Sequence, residues 1–210
     1  MRRVAGLLLA LTLSAGVHAG PQLEEPLADK VRGALAAAVA DGAPPRPSFE
    51  SIDERLAYLR WLGATSERLK KRKSEHAVRV EFLEAVWYES KRAGLEPALV
   101  LGLIQVESGF RKYAISVAGA RGYMQVMPFW TRSIGNGDSA ALFHMQTNLR
   151  FGCVILRHYL DIEKGDLFLA LGRYNGSRGR AEYPSAVFAN RRHWLGEEPA
   201  LAASRAAPGS

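Results

Sequence analysis

The sequence predicts a mostly α-helical protein, and three observations carry that reading. Apolar residues recur at the three- and four-residue spacing of helices. Glycine and proline interrupt the periodic segments where helices start and stop. No segment shows the alternation of a half-buried strand, and no repeat of about 20–50 residues is present. At 210 residues the chain has room for one domain with terminal segments.

Residues 1–19 read as a signal peptide. Arg2 and Arg3 precede an apolar run from Val4 to Leu13, and Val17-His18-Ala19 is a small-x-small cleavage site. The run is short for a bilayer span, and no cysteine follows it to carry a lipid anchor. Export is expected, with the periplasm as destination and no membrane segment left after cleavage. Residues 20–75 are expected to form a partly helical, partly flexible arm. Leu27 to Ala40 is an Ala-rich helix closed by Asp41-Gly42-Ala43-Pro44-Pro45. Phe49, Ile52, Leu56, Leu59 and Leu62 predict a helix capped by Ser48 or Ser51 and ended by Gly63. The basic run from Arg68 to Lys73 reads as a solvated face, with an acidic polymer, a membrane surface or a partner as the functional alternatives.

Residues 76–195 hold the strongest periodicity. A helix from Ser74 to Ala93 stops at Gly94, and another starts at Pro97, where a missing amide donor costs nothing. The short connection makes the two an antiparallel pair. Helices follow over Asn148 to Asp161, Leu167 to Tyr174 and Tyr183 to Leu195, the last with Tyr183, Val187, Phe188 and Trp194 on its apolar side. Residues 196–210 are rich in Ala, Pro, Gly and Ser and read as a flexible tail.

The stretch from Pro97 to Pro128 is the candidate site. Ala98, Leu99, Val100, Leu101, Leu103, Ile104 and Val106 leave the helix almost no polar face, so it is buried. It ends on one carboxylate, Glu107. Apolar surroundings and the negative end of the helix dipole both disfavour the charged form and raise its pKa. A carboxylic acid still protonated near neutral pH suits general acid catalysis. Residues 108–137 then contain no Asp or Glu, only Gly-rich polar sequence.

Other chemistries find less support. The net charge of +7 fits nucleic acid, a membrane surface or another acidic polymer, but no basic motif with base-reading context is present. The one cysteine, Cys153, lies in an apolar-periodic segment and reads as a buried structural thiol, with His158 as the nearest candidate partner for a reactive one. The five histidines are scattered without metal-ligand spacing, so neither metal nor cofactor is expected.

Three ordered motifs resemble one family: Glu107-Ser108, then Ser116-x-x-Gly119-Ala120-x-Gly122-x-Met124-Gln125-Val126-Met127-Pro128, then Arg173-Tyr174-Asn175-Gly176. Together they resemble the lytic transglycosylases of the Slt, goose-lysozyme-like type, over roughly Phe82 to Trp194. Two positions depart from the family pattern: Tyr123 stands where Leu is usual, and Arg173 where a small residue is common. The resemblance implies a compact lysozyme-like helical domain over residues 76–195 that acts on peptidoglycan glycan strands. It implies that Glu107 protonates the bond between N-acetylmuramic acid and N-acetylglucosamine. The same residue then takes the proton from the muramic acid C6 hydroxyl as a 1,6-anhydro ring closes. It further implies that Ser116 bonds near that carboxyl or the substrate acetamido group, and that Gln125 and Met127 line sugar subsites. Tyr174 would contact and orient Glu107, and Asn175 would hold the loop presenting Tyr174. Arg173 would alter which glycan or peptide is favoured, and the Phe129-Trp130 pair divides evenly between core packing and sugar stacking. Three other readings stay open. A goose-type hydrolase would need a second carboxylate, for which Asp138, Asp166 and Glu182 are available. A wall-binding module would lack the chemistry, and an accessory enzyme would be recruited by envelope machinery.

Overall fold

In a computed structural model the described residues are 22, 24–40 and 49–195, so the proposed signal peptide and the 196–210 tail lie outside them. Eight α-helices are described: α1 (Asp29–Ala40), α2 (Ile52–Leu69), α3 (His76–Arg92), α4 (Pro97–Glu107), α5 (Phe129–Ile134), α6 (Met145–Ile162), α7 (Leu167–Asn175) and α8 (Glu182–Leu195). A short 3-10 helix, Ala140–Phe143, precedes α6. Strand structure among the described residues is limited to isolated bridges, Ile115 with Arg121 and Arg121 with Val126. The mostly α expectation holds. No helix among the described residues is long and apolar enough to cross a membrane.

The helix ends follow their sequence signals, with one exception. Ser51 caps α2 by accepting the Glu54 amide at 3.1 Å. Gly94, at φ +64°, closes α3: its amide bonds the Lys91 carbonyl at 3.0 Å, and the Leu95 amide reaches Ser90 at 2.8 Å. That pair of bonds is the Schellman arrangement, which needs a left-handed residue. Gly176 closes α7 the same way, with φ +77° and a 2.7 Å bond from the Ser177 amide to the Gly172 carbonyl. Gly63 does not end α2, as its position predicts; the helix runs on to Leu69. A mid-helix glycine costs only about 1 kcal/mol. The extra turns bury Thr65, Ser66 and Leu69, and burying one leucine side chain is worth about 2 kcal/mol.

Helix α4 runs through the centre, with every residue from Pro97 to Ile104 buried. Helix α8 crosses it closely at Gly102, where a Cβ would lie 2.7 Å from the Arg191 backbone nitrogen. Only glycine permits that approach. Helix α3 packs on both α4 and α6. Between α3 and α6 the core contains an ion cluster that hydrophobic periodicity gives no sign of. Glu89, 1% exposed, pairs with Arg150 at 3.0 Å and Arg92 at 3.4 Å and accepts a bond from Gln146. Cys153 is buried as expected, and burial, more than the nearby Glu89, pushes its thiol far above the usual range.

Candidate active site

Helix α4 ends at Glu107. Ser108 closes it, its hydroxyl donating to the Tyr123 carbonyl at 2.7 Å. Gly109 and Phe110 follow at φ +58° and +68° and turn the chain out of the helix. One carboxyl oxygen of Glu107, Oε1, accepts a 2.5 Å hydrogen bond from the Tyr183 hydroxyl. The other, Oε2, is buried and has no hydrogen-bond partner among the described residues. Burial raises the Glu107 pKa from 4.5 to about 8, while the Tyr183 bond pulls it back down. The direction is the one the apolar helix predicts. Burial first, and the facing Glu107 second, hold the Tyr183 hydroxyl well above the ordinary tyrosine range, so it remains a donor.

The resemblance assigns the contact with Glu107 to Tyr174, and here the structure differs. Tyr174 is fully buried, and its hydroxyl donates to the Met124 carbonyl at 2.8 Å. Glu107 is close enough to add to the upward shift that burial gives Tyr174, but the hydrogen bond comes from α8. The physical reason is the glycine crossing: with Gly102 facing α8, the first turn of that helix brings Tyr183 to the end of α4. The sequence presents Tyr183 as one more residue on an apolar face. Its signal is chemical, because a buried tyrosine hydroxyl needs a polar partner.

The loop from 111 to 128 is fixed by its own polar groups. Gln125, at φ +49°, donates its side-chain amide to the carbonyls of Gly122 at 2.9 Å and Ala114 at 3.1 Å. Ser116 accepts the Ala120 amide at 3.0 Å and pins the tip. No hydrogen bond joins Ser116 or Gln125 to Glu107, so both act on the loop's shape in this structure. Met127 is partly buried against the core. Asn175 donates to Ser177 at 2.9 Å across the turn that follows Tyr174. Asn148, on α6, clamps the loop from below. It accepts the Met124 amide at 2.8 Å and donates to the Arg121 and Leu142 carbonyls at 2.8 and 2.9 Å. A Cβ on Gly122 would lie 2.6 Å from that Leu142 carbonyl, which is why this position is glycine.

Both departures from the family pattern have structural accounts. Tyr123 is buried in the apolar slot, 4.8 Å from the Phe82 ring, and its hydroxyl accepts Lys73 Nζ at 2.8 Å. Arg173 is bound between Glu163, at 2.9 Å, and Glu25, at 2.8 Å, so its guanidinium is already occupied by the protein. Phe129 and Trp130 are both buried, which assigns them to the core. Of the proposed second carboxylates, Asp138 accepts the Ala140 amide and Asp166 caps α7 through the Leu169 amide. Glu182 sits on the exposed first turn of α8.

The family described as the transglycosylase SLT domain matches residues 84–192. Membrane-bound lytic murein transglycosylase C of Actinobacillus pleuropneumoniae serotype 5b is 38% identical over 84 residues, covering 36% of this chain and 23% of that one. A transglycosylase of Enterobacteria phage PRD1 is 31% identical over 118 residues, covering 53% of this chain and 43% of that one. The chain thus spans less than half the length of these relatives. Lytic transglycosylase Slt of Pseudomonas aeruginosa superposes with a TM-score of 0.43 at 22% identity, over 67% of this chain and 27% of that one. The family match covers more than half of the sequence and contains Glu107, Tyr174 and Tyr183, and on that ground the chain belongs to the transglycosylase SLT domain family.

Proposed function

We propose that the protein is a peptidoglycan lytic transglycosylase of the cell envelope, with Glu107 as its one acid and base. The observation that carries this reading is the state of Glu107: a carboxyl raised to about 8, one oxygen held by Tyr183 and the other without a partner among the described residues. At neutral pH such a group holds a proton to give, as a general acid must. Glu107 protonates the glycosidic oxygen from Oε2 as the bond to C1 of N-acetylmuramic acid breaks. The carboxylate left behind is stabilised by the Tyr183 hydroxyl, a charge-assisted bond that strengthens as the proton leaves. It then accepts the proton of the muramic acid C6 hydroxyl while that oxygen closes on C1, giving the 1,6-anhydro product and restoring the acid. No water is consumed.

The candidate second carboxylates support this reading over hydrolysis. An inverting or retaining glycosidase uses a second carboxylate across the bond, whereas Asp138 and Asp166 are engaged by backbone amides and Glu182 lies on the exposed first turn of α8. The relatives named as murein transglycosylases support the choice of substrate, and those named membrane-bound support an envelope location. Mass spectrometry of peptidoglycan digested by the protein, beside Glu107→Gln, tests the proposal. Anhydro-muropeptides that disappear in the variant are expected. Products heavier by one water would replace the transglycosylase with a hydrolase, and no products from the wild type would favour a binding module.

A further inference from the structure

The family match begins at residue 84, yet a residue far outside it enters the site from behind. Gln22 belongs to the N-terminal arm and is only 6% exposed. Its side-chain oxygen accepts the Trp130 indole N–H at 3.0 Å, and its side-chain amide lies beside the Tyr174 hydroxyl, where it offsets part of the upward shift that burial gives that phenol. That hydroxyl in turn holds the Met124 carbonyl. The arm is anchored again just after this point. Glu25 binds Arg173 of α7 at 2.8 and 3.0 Å, and Glu24 lies 3.8 Å from Arg132 of α5. Farther on, α1 packs on α5 and α6, and its Ala38 carbonyl accepts a bond from Arg92 at 2.5 Å.

A buried glutamine needs partners for both ends of its amide, because an unpaired end costs about 1–3 kcal/mol. Surface packing alone would be served by an apolar residue. The polar seat is specific in both its groups: an indole that only donates and a phenol that can do both. We propose that Gln22 is a positioning residue of the site, fixing Tyr174 and the Met124 carbonyl behind Glu107, so that the arm completes the catalytic domain. This rests on the reading of Glu107 as the catalytic acid. Among the described residues, Tyr174 and Tyr183 are ionisable groups that Glu107 influences, and Gln22 of the arm lies beside Tyr174.

The test uses the full chain as wild type, Gln22→Ala, Gln22→Glu and Glu25→Ala. Turnover of peptidoglycan is followed by release of anhydro-muropeptides, and the Glu107 carboxyl is titrated by carbon NMR. Gln22→Ala is expected to lower kcat about tenfold with KM held within about twofold, the signature of lost positioning rather than lost binding. Glu25→Ala loosens the arm without touching Tyr174 and is expected to keep kcat within about twofold. Gln22→Glu keeps the size and the acceptor for Trp130 but places a negative charge beside Tyr174. It is expected to move the Glu107 midpoint up by about half a pH unit. Should Gln22→Ala fail to fold, the isosteric Gln22→Glu decides. The inference is overturned if Gln22→Ala keeps wild-type kcat, if Glu25→Ala loses as much, or if the Glu107 midpoint stays put in Gln22→Glu. A wild type with no turnover would sink the functional reading alone, because the NMR midpoint reports positioning without substrate.

Discussion

Glu107 makes the fold less stable than an uncharged neighbour would, and Glu107→Gln measures by how much. The carboxyl titrates at about 8 in the fold against an ordinary 4.5. A group whose folded pKa lies above its unfolded value holds its proton longer in the native state. The unfolded chain releases that proton first, so native stability is undiminished below pH 4.5 and is lost progressively as pH rises from 4.5 to about 8. Each unit of difference is worth about 1.4 kcal/mol. The loss should therefore reach about 2 kcal/mol at pH 6 and between about 4 and 5 kcal/mol above pH 8. Glutamine has the same shape and never ionises. Urea unfolding of both proteins at about pH 5, 7 and 9 gives the difference directly. At pH 5 the two should agree within about 1 kcal/mol, and by pH 9 the variant should be the more stable by several. For a chain of this size that is a rise in Tm of about 10 °C at the alkaline end. The reasoning fails if the difference is flat with pH. It fails more deeply if the variant loses ground as pH rises, since that is the behaviour of a carboxylate stabilised by a cation.

The remaining predictions follow from single contacts. Tyr183→Phe removes the bond that favours the Glu107 carboxylate, so carbon NMR should show the Glu107 midpoint rising by about one to two pH units. Gly102→Ala forces a Cβ to 2.7 Å from the Arg191 nitrogen. It should cost about 1–3 kcal/mol in urea unfolding and lower turnover as α8 moves Tyr183 off Glu107. Glu89→Ala leaves Arg150 buried without its carboxylate, and calorimetry should register a loss of about 3–5 kcal/mol. Tyr123→Leu restores the usual family residue and gives up the Lys73 bond. It should cost about 1 kcal/mol and leave anhydro-muropeptide release within about twofold.

What the sequence discloses about this site depends on how far each signal reaches along the chain. The direction of the Glu107 shift is legible because the helix that carries it is apolar and buried from Pro97 to Ile104, which brings its last residue inward. The Gly94 and Gly176 helix ends are legible too, since a left-handed residue closes its own helix. Gly63 misleads because a stop signal competes with burial that only the packed protein supplies, and Leu69 wins. Tyr183, Gln22 and Glu89 are hidden by distance. Each is a polar group whose partner lies 50 or more residues away in sequence: Glu107 for Tyr183, Trp130 for Gln22 and Arg150 for Glu89. Periodicity sorts residues by face, so it files a tyrosine on an apolar helix under core and stops there. Yet one local clue bears on the long-range pairing. Gly102 interrupts an otherwise bulky apolar helix, and a helix gives up about 1 kcal/mol for glycine over alanine. Such a concession implies that another backbone passes there, and the helix that passes is the one carrying Tyr183. The residue that makes no contact with the acid thus foretells the one that does.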